Sequence, residues 1–219
     1  MRTVVFDLDG TLADTSGDLL AAANACFRDL GLGDLLDRRD AGTALKGGRA
    51  MLRLGFSRVE GFGEKEVDAQ YQPLLDHYAR DLDTHTVMYP GAMDAVAALK
   101  SDGYAVAICT NKPAGLAEDL LTRLGVRDVF GAMLGADSLP VRKPDPAHLF
   151  ETIRQAGGDP ARAVLVGDTK TDRDTSANAK LPSILVTFGP SGEDMAALNP
   201  EALLDDYADL PRIVRALIG

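Results

Sequence analysis

Thr3 to Phe6 is a run of β-branched and aromatic residues, which predicts a buried strand at the start of the chain. The pattern then changes period. Leu19, Leu20, Ala23, Phe27 and Leu30 recur at helical spacing, with Ser16 or Asp18 placed to cap the helix and Gly31 and Gly33 to end it. Residues 35–48 are mixed, with Gly42, Gly47 and Gly48 forming a loop near Lys46 and Arg49. Helical spacing returns over 49–54 and again over 64–82, where Val67, Tyr71, Leu74, Leu75 and Tyr78 make an apolar face and Pro73 is placed to break or kink the helix. The stretch from Asp14 to about Thr84 therefore predicts helices and no strand.

After Tyr89-Pro90-Gly91 strands and helices alternate. The pattern predicts helices over 92–100, 114–124, 146–156 and 171–180, with proline tolerated in the first turn at Pro146. It predicts strands over 104–109, 129–134, 163–166 and 183–188, and a helical tail over 200–218 broken at Pro211. Such alternation implies a parallel sheet with right-handed crossovers. The expected fold is a doubly wound α/β core, residues 1–13 and 86–219, split after its first strand by an α-helical cap domain, residues 14–85.

Composition narrows the class. With 46% hydrophobic and 26% charged residues, the 219-residue chain has the balance of an ordinary water-soluble protein. A net charge of −10 with no basic patch argues against nucleic acid as a partner. Apolar runs such as 104–109 are too short to span a bilayer, and an acidic strand end within ten residues of the N-terminus leaves no apparent signal peptide. Cys26 and Cys109 lie in apolar surroundings without metal-ligand spacing, which predicts two buried free thiols and a reducing cytoplasm. The expected assembly is a monomer or homodimer.

The chemistry lies at the strand ends. Asp7 and Asp9 follow the first strand and start on the same side of it, where two carboxylates repel unless a cation or a proton intervenes. Gly10 lets the chain turn after them. Thr110, Asn111 and Lys112 end the second core strand, Lys143 follows the third, and Asp168 and Asp172 follow the fourth. Parallel strands bring such ends to one rim. Phosphoryl transfer needs an in-line nucleophile, a cation and donors for the remaining charge. Asp7 suits the nucleophile, Asp9 the acid that protonates the leaving oxygen and the base that activates water. Asp168 and Asp7 offer hard oxygen ligands for Mg²⁺, and Asp172 is one turn further on, to hold a metal-bound water or to pair with Lys143. Lys143 and the Thr110 hydroxyl would serve the phosphoryl oxygens. The competing explanation, a strand that merely ends in an Asp-Gly turn, accounts for Asp7 and Asp9 but not for the other three ends.

The stretches DLDGT, TNK, Lys143-Pro144 and GDTKTD resemble, in order, the four motifs of the haloacid-dehalogenase superfamily of aspartate-dependent phosphatases. The resemblance implies a Rossmann-like core with a helical cap between the first two motifs, Mg²⁺ as cofactor, and a metal set of Asp7, Asp9, Asp168 and Asp172, with Asp9 contributing its backbone carbonyl. It implies catalytic roles for Asp7, Asp9 and Lys143, and substrate contacts at Gly10, Thr110, Asn111 and Lys112. In the cap the candidates are Lys46, Gly47, Gly48 and Arg49, a glycine-softened loop with two cations where the Arg49 fork would suit a distal carboxylate; the alternative is a loop whose cations are merely solvated. Dehalogenases lack the second aspartate, and sugar-phosphate mutases carry an aliphatic residue where Thr11 stands, so the motif favours hydrolysis of a small phosphomonoester. A hexose-phosphate mutase, a phosphatase of another small metabolite (a sugar phosphate or pyrophosphate), and a binding protein without turnover are the alternatives. Phosphonate-cleaving relatives use a cap lysine, for which Lys46 is the candidate, but DLDGTLADT follows the phosphatase form. His77, His85 and His148 are expected as surface or packing residues, Tyr71 and Tyr78 as core, Lys170 as solvent-facing and Asp14 as a brace into the cap. Lys180 stands where the family has a glycine.

Overall fold

Runs such as TVVF, AVAIC, AVLVG and SILV are apolar at nearly every position, the composition of strands covered on both faces. In the computed structural model, which describes every residue except Ser191 and Glu193, they form the centre of a six-stranded, all-parallel sheet. The chain runs β1 (Thr3–Phe6), β2 (Ala13–Asp14), α1 (Ser16–Asp29), α2 (Ala41–Ala44), α3 (Gly48–Phe56), α4 (Glu64–Arg80) and β3 (Val87–Met88). It continues through α5 (Ala92–Ser101), β4 (Ala105–Cys109), α6 (Ala114–Arg123), β5 (Ala132–Leu134), α7 (Pro146–Gln155), β6 (Ala163–Gly167), α8 (Lys170–Ala179), β7 (Ser183–Val186), β8 (Ala202–Leu204) and α9 (Leu210–Ile218). Contacts divide it into two compact units, one of Met1–Ala13, Met88–Gly189 and Glu193–Gly219, the other of Asp14–Val87 with Pro190–Gly192.

The first unit holds the sheet, in the order β5-β4-β1-β6-β7-β8. From β1 the order grows outward through β4 and β5, then returns to β6 on the other side, so β1 and β6 flank the point where the winding reverses. Ligands of open α/β sheets bind at the carboxyl ends of such a pair. Phe6 pairs with Val166 across them, which sets Asp7 level with Gly167 and next to the end of β6 from which Asp168 follows. One face of the sheet is sealed by α7 and α8 through Val5, Cys109, Leu149, Ile153, Leu165 and Leu181.

The tail departs from expectation. Residues 202–204 are a strand, β8, pairing with β7, and Pro211 sits in the first turn of α9 instead of breaking a helix. A proline in the first turn costs no hydrogen bond. His148 is buried, between the Cys109 thiol (3.4 Å) and the Gly135 carbonyl (3.0 Å). Both cysteines are buried and free.

The second unit has its own core, where α4 packs on α1 and α3 around Leu20, Phe27, Met51, Leu52, Phe56 and Leu74. The Phe27 and Phe56 rings meet edge-on at 5.2 Å, and a side chain at Gly55 would run into Phe27. Helix α4 continues through Pro73. Asp18 does not cap α1: its buried carboxylate accepts the His85 and Thr86 N–H groups (2.9 and 2.8 Å) and the Thr86 hydroxyl (2.8 Å). The start of α1 is instead braced by Asp14, which accepts from the Ser16 N–H and hydroxyl. Among the described residues no helix is long and apolar enough to cross a membrane.

Lys180 ends α8 with φ of 56°, in the left-handed region. A side chain there carries a steric cost that glycine lacks. Lys180→Gly is expected to stabilise the protein by about 1 kcal/mol, read as a rise in the urea midpoint at unchanged slope; an unchanged or lower midpoint contradicts this.

Candidate active site

Asp7 leaves β1 with its N–H donating to the Val166 carbonyl (2.9 Å), so the last ladder bond of the sheet fixes its backbone. Its Oδ1 accepts the Leu8 N–H at 2.7 Å and lies 3.0 Å from Lys143 Nζ. Lys143 comes from the loop between β5 and α7, where its carbonyl accepts the Asn111 side-chain amide (3.0 Å). Its ammonium donates to Asp172 Oδ1 at 2.6 Å, with the lysine and aspartate side chains 1% and 0% exposed. Asp172 occupies the third position of α8, in a capping box with Thr169, whose hydroxyl donates to Asp172 Oδ2 at 2.6 Å. Gly167 allows this packing, since a Cβ there would lie 2.3 Å from Asp172.

Asp168, at the end of β6, is held differently. Its Oδ1 accepts the Thr11 hydroxyl at 2.8 Å, while its Oδ2 is buried without a hydrogen-bond partner. The carboxylates of Asp7, Asp168 and Asp172 each offer an oxygen within 4.8 Å of the others. Burial pushes Asp7 up to about 6, with Lys143 opposing and Asp172 and Asp9 adding to the rise. Burial also raises Asp168 well above the usual carboxylate range, helped by Asp172 and Asp7. Lys143 is held charged: burial would discharge it, but Asp172 and Asp7 outweigh that and lift it above an ordinary lysine.

Three carboxylates and one ammonium leave two negative charges in a dry site when all are ionised. A hard divalent cation with oxygen ligands fits that imbalance, and the unpartnered Asp168 Oδ2 is an oxygen with no other partner to satisfy it. The residues present thus suit Mg²⁺.

The remaining expected residues are placed as follows. Asp9 takes no part in the three-carboxylate group; its Oδ1 lies 2.8 Å from the Lys112 ammonium. Lys112, expected at substrate, is thus engaged with the second aspartate. Thr110 is buried, and its hydroxyl oxygen accepts the Lys112 N–H at 3.2 Å, which leaves the hydroxyl proton to donate. Gly10 has φ of 82°, and its N–H is spent on the Ala13 carbonyl (2.8 Å), closing the turn. Lys46, Gly47 and Arg49 belong to the second unit: Lys46 is exposed, Gly47 precedes α3 with φ of 93°, and Arg49 pairs with Asp68 and stands 4.5 Å over the Tyr71 ring. Tyr71 is therefore a platform for a cation, whereas Tyr78 is buried. Lys170 pairs with Asp174 in solvent.

Sequence reasoning assigned no structural part to Thr11, Thr169 or Tyr207. Thr169 had a signal, the Thr-x-x-Asp spacing of a capping box. The bond from Thr11 to Asp168 joins residues 157 apart and leaves no local trace.

The chain is similar to known proteins over nearly its whole length. A phosphoglycolate phosphatase of Agrobacterium fabrum is 36% identical over 98% of this chain and 93% of its own length. That of Mesorhizobium japonicum is 38% identical over 97% and 96%. Among solved structures, a predicted phosphoglycolate phosphatase from Haemophilus somnus superposes with a TM-score of 0.86 at 27% identity, covering 97% of each chain. The profile of the haloacid dehalogenase-like hydrolases matches residues 4–186, and the chain belongs to that family.

Proposed function

We propose that this hydrolase is a Mg²⁺-dependent phosphatase of small phosphomonoesters that works through an aspartyl-phosphate on Asp7, with phosphoglycolate as its substrate. The observation that carries it is the buried group of Asp7, Asp168 and Asp172 around Lys143, with one Asp168 oxygen unpartnered. The names of the relatives support the choice of phosphoglycolate.

The steps follow from the side chains. Asp7 attacks phosphorus through the oxygen that Lys143 and the Leu8 N–H do not hold, and its ladder bond keeps it from swinging away. Lys143 offsets charge on the phosphoryl oxygens while Asp172 keeps its ammonium in place. Thr110 donates its hydroxyl proton to the same oxygens. Asp9, oriented by Lys112, protonates the leaving oxygen and then takes a proton from the water that opens the acyl phosphate. Mg²⁺, held by Asp7, the Asp9 carbonyl and Asp168, with Asp172 beside it, would neutralise the phosphoryl oxygens and keep Asp7 ionised.

The test is phosphate release from a panel of phosphorylated metabolites. Phosphoglycolate is expected to give the highest kcat/KM, and chelation with EDTA to abolish turnover until Mg²⁺ is returned. Full activity in EDTA would remove the metal from the account, and a better substrate in the panel would replace phosphoglycolate.

A further inference from the structure

We infer that Tyr207, in the C-terminal tail, is a positioning residue for the metal-binding carboxylate Asp168, acting through Thr11. The inference rests on the Mg²⁺ reading of the site. Tyr207 lies in a 3₁₀ turn, Tyr207–Asp209, capped by the Asp206 side chain. Its ring is buried against Phe188, centroids 5.6 Å apart, so the phenol enters the interior of the first unit from outside the four motifs. A buried phenol needs a partner for its O–H. It finds the Thr11 carbonyl at 2.6 Å.

That carbonyl belongs to the residue whose own hydroxyl, also buried, donates to Asp168 Oδ1 at 2.8 Å. The three groups form a line: phenol to carbonyl, through one residue's backbone, hydroxyl to carboxylate. Its consequence is at the far end. The Thr11 bond to Oδ1 restrains the rotation of the Asp168 carboxylate, and Oδ2 is the oxygen without a hydrogen-bond partner that is left to face a cation. Partners that orient a ligating carboxylate raise metal affinity, and their loss typically costs tenfold or more. Burial pushes the phenol above its usual range, so it is a donor at neutral pH. A tyrosine present for packing alone would contribute stability without affecting metal uptake, and this separates the two roles.

The test is calorimetric titration of Mg²⁺ into the full-length, substrate-free protein, with thermal unfolding of each variant followed by circular dichroism. Tyr207→Phe keeps the ring on Phe188 and removes the hydroxyl. It is expected to bind Mg²⁺ about tenfold more weakly than wild type while still unfolding cooperatively. Thr11→Val cuts the same line one step closer and is expected to weaken binding at least as much. The double variant should bind no more weakly than Thr11→Val alone, because the line is already broken. An unchanged Mg²⁺ Kd in Tyr207→Phe, whatever its melting temperature, overturns the inference, as do losses that multiply in the double variant. Wild-type protein that takes up no Mg²⁺ overturns the metal reading and the inference with it.

Discussion

Asp7→Asn is expected to lower kcat by on the order of 10⁴-fold and, in the absence of metal, to leave a protein that unfolds at a higher temperature than wild type. The loss follows from the chemistry, since an amide oxygen does not form the acyl phosphate and no other carboxylate stands at the end of β1 with the same ladder bond. The gain follows from burial. Asp7 titrates near 6 in the folded chain against 3.8 for an ordinary aspartate, so folding disfavours its charge. A raised carboxylate binds more protons folded than unfolded across that window. Its contribution to stability therefore falls as pH rises from about 4 to about 6 and stays low above it. Asparagine removes that cost together with the repulsion from Asp172 and Asp9, while Lys143 keeps Asp172 at 2.6 Å. Thermal unfolding at pH 7.5 in EDTA, beside steady-state kinetics in Mg²⁺, reads both effects. A variant that keeps wild-type turnover contradicts the nucleophile; one that is inactive because it is unfolded contradicts the electrostatic half.

Lys143→Met is the second large effect, and it runs the other way. The ammonium touches both Asp7 and Asp172, and its side chain is 1% exposed. Methionine fills the same volume but leaves those two carboxylates buried without their counter-charge, beside a third at Asp168. Breaking a buried pair in this way costs about 3–5 kcal/mol. Urea unfolding in EDTA is expected to show that loss, and saturating Mg²⁺ to recover part of it, because a second cation then supplies the missing positive charge. Turnover falls too, since the phosphoryl oxygens lose a neutralising partner. Near-wild-type stability in EDTA would mean that the three carboxylates hold protons instead of charge.

Much of this was legible from the chain because its strands carry their own signal. The runs TVVF, AVAIC, AVLVG and SILV are apolar on both faces, so a period-free hydrophobic stretch followed by a polar residue marks both a central strand and the rim where it ends. Asp7, Thr110 and Asp168 are one residue beyond such runs, and parallel pairing brings them to one edge. The tail was not legible for the same physical reason in reverse. Ala202–Leu204 is three residues long, within a stretch whose leucines and alanines fit a helix equally well, and only pairing with β7 makes it a strand. Asp18 misled because an aspartate near a helix start reads as a cap, whereas its partners, His85 and Thr86, lie 67 and 68 residues away. Lys112 was placed at the substrate by the resemblance, and the chain carries no local sign that its ammonium lies against Asp9, 103 residues earlier. Long-range pairings of this kind are fixed by topology, and a single sequence does not encode them locally.

The central claim is that Asp7 carries the phosphoryl group. Acid-quenching the enzyme within the first turnover of phosphoglycolate in Mg²⁺, digesting it and weighing the peptides tests that claim directly. A phosphoryl adduct on the peptide that contains Asp7, absent from Asp7→Asn and discharged by hydroxylamine, is the result predicted. Phosphate released at full rate with no adduct at Asp7, or with the adduct on another residue, would contradict it.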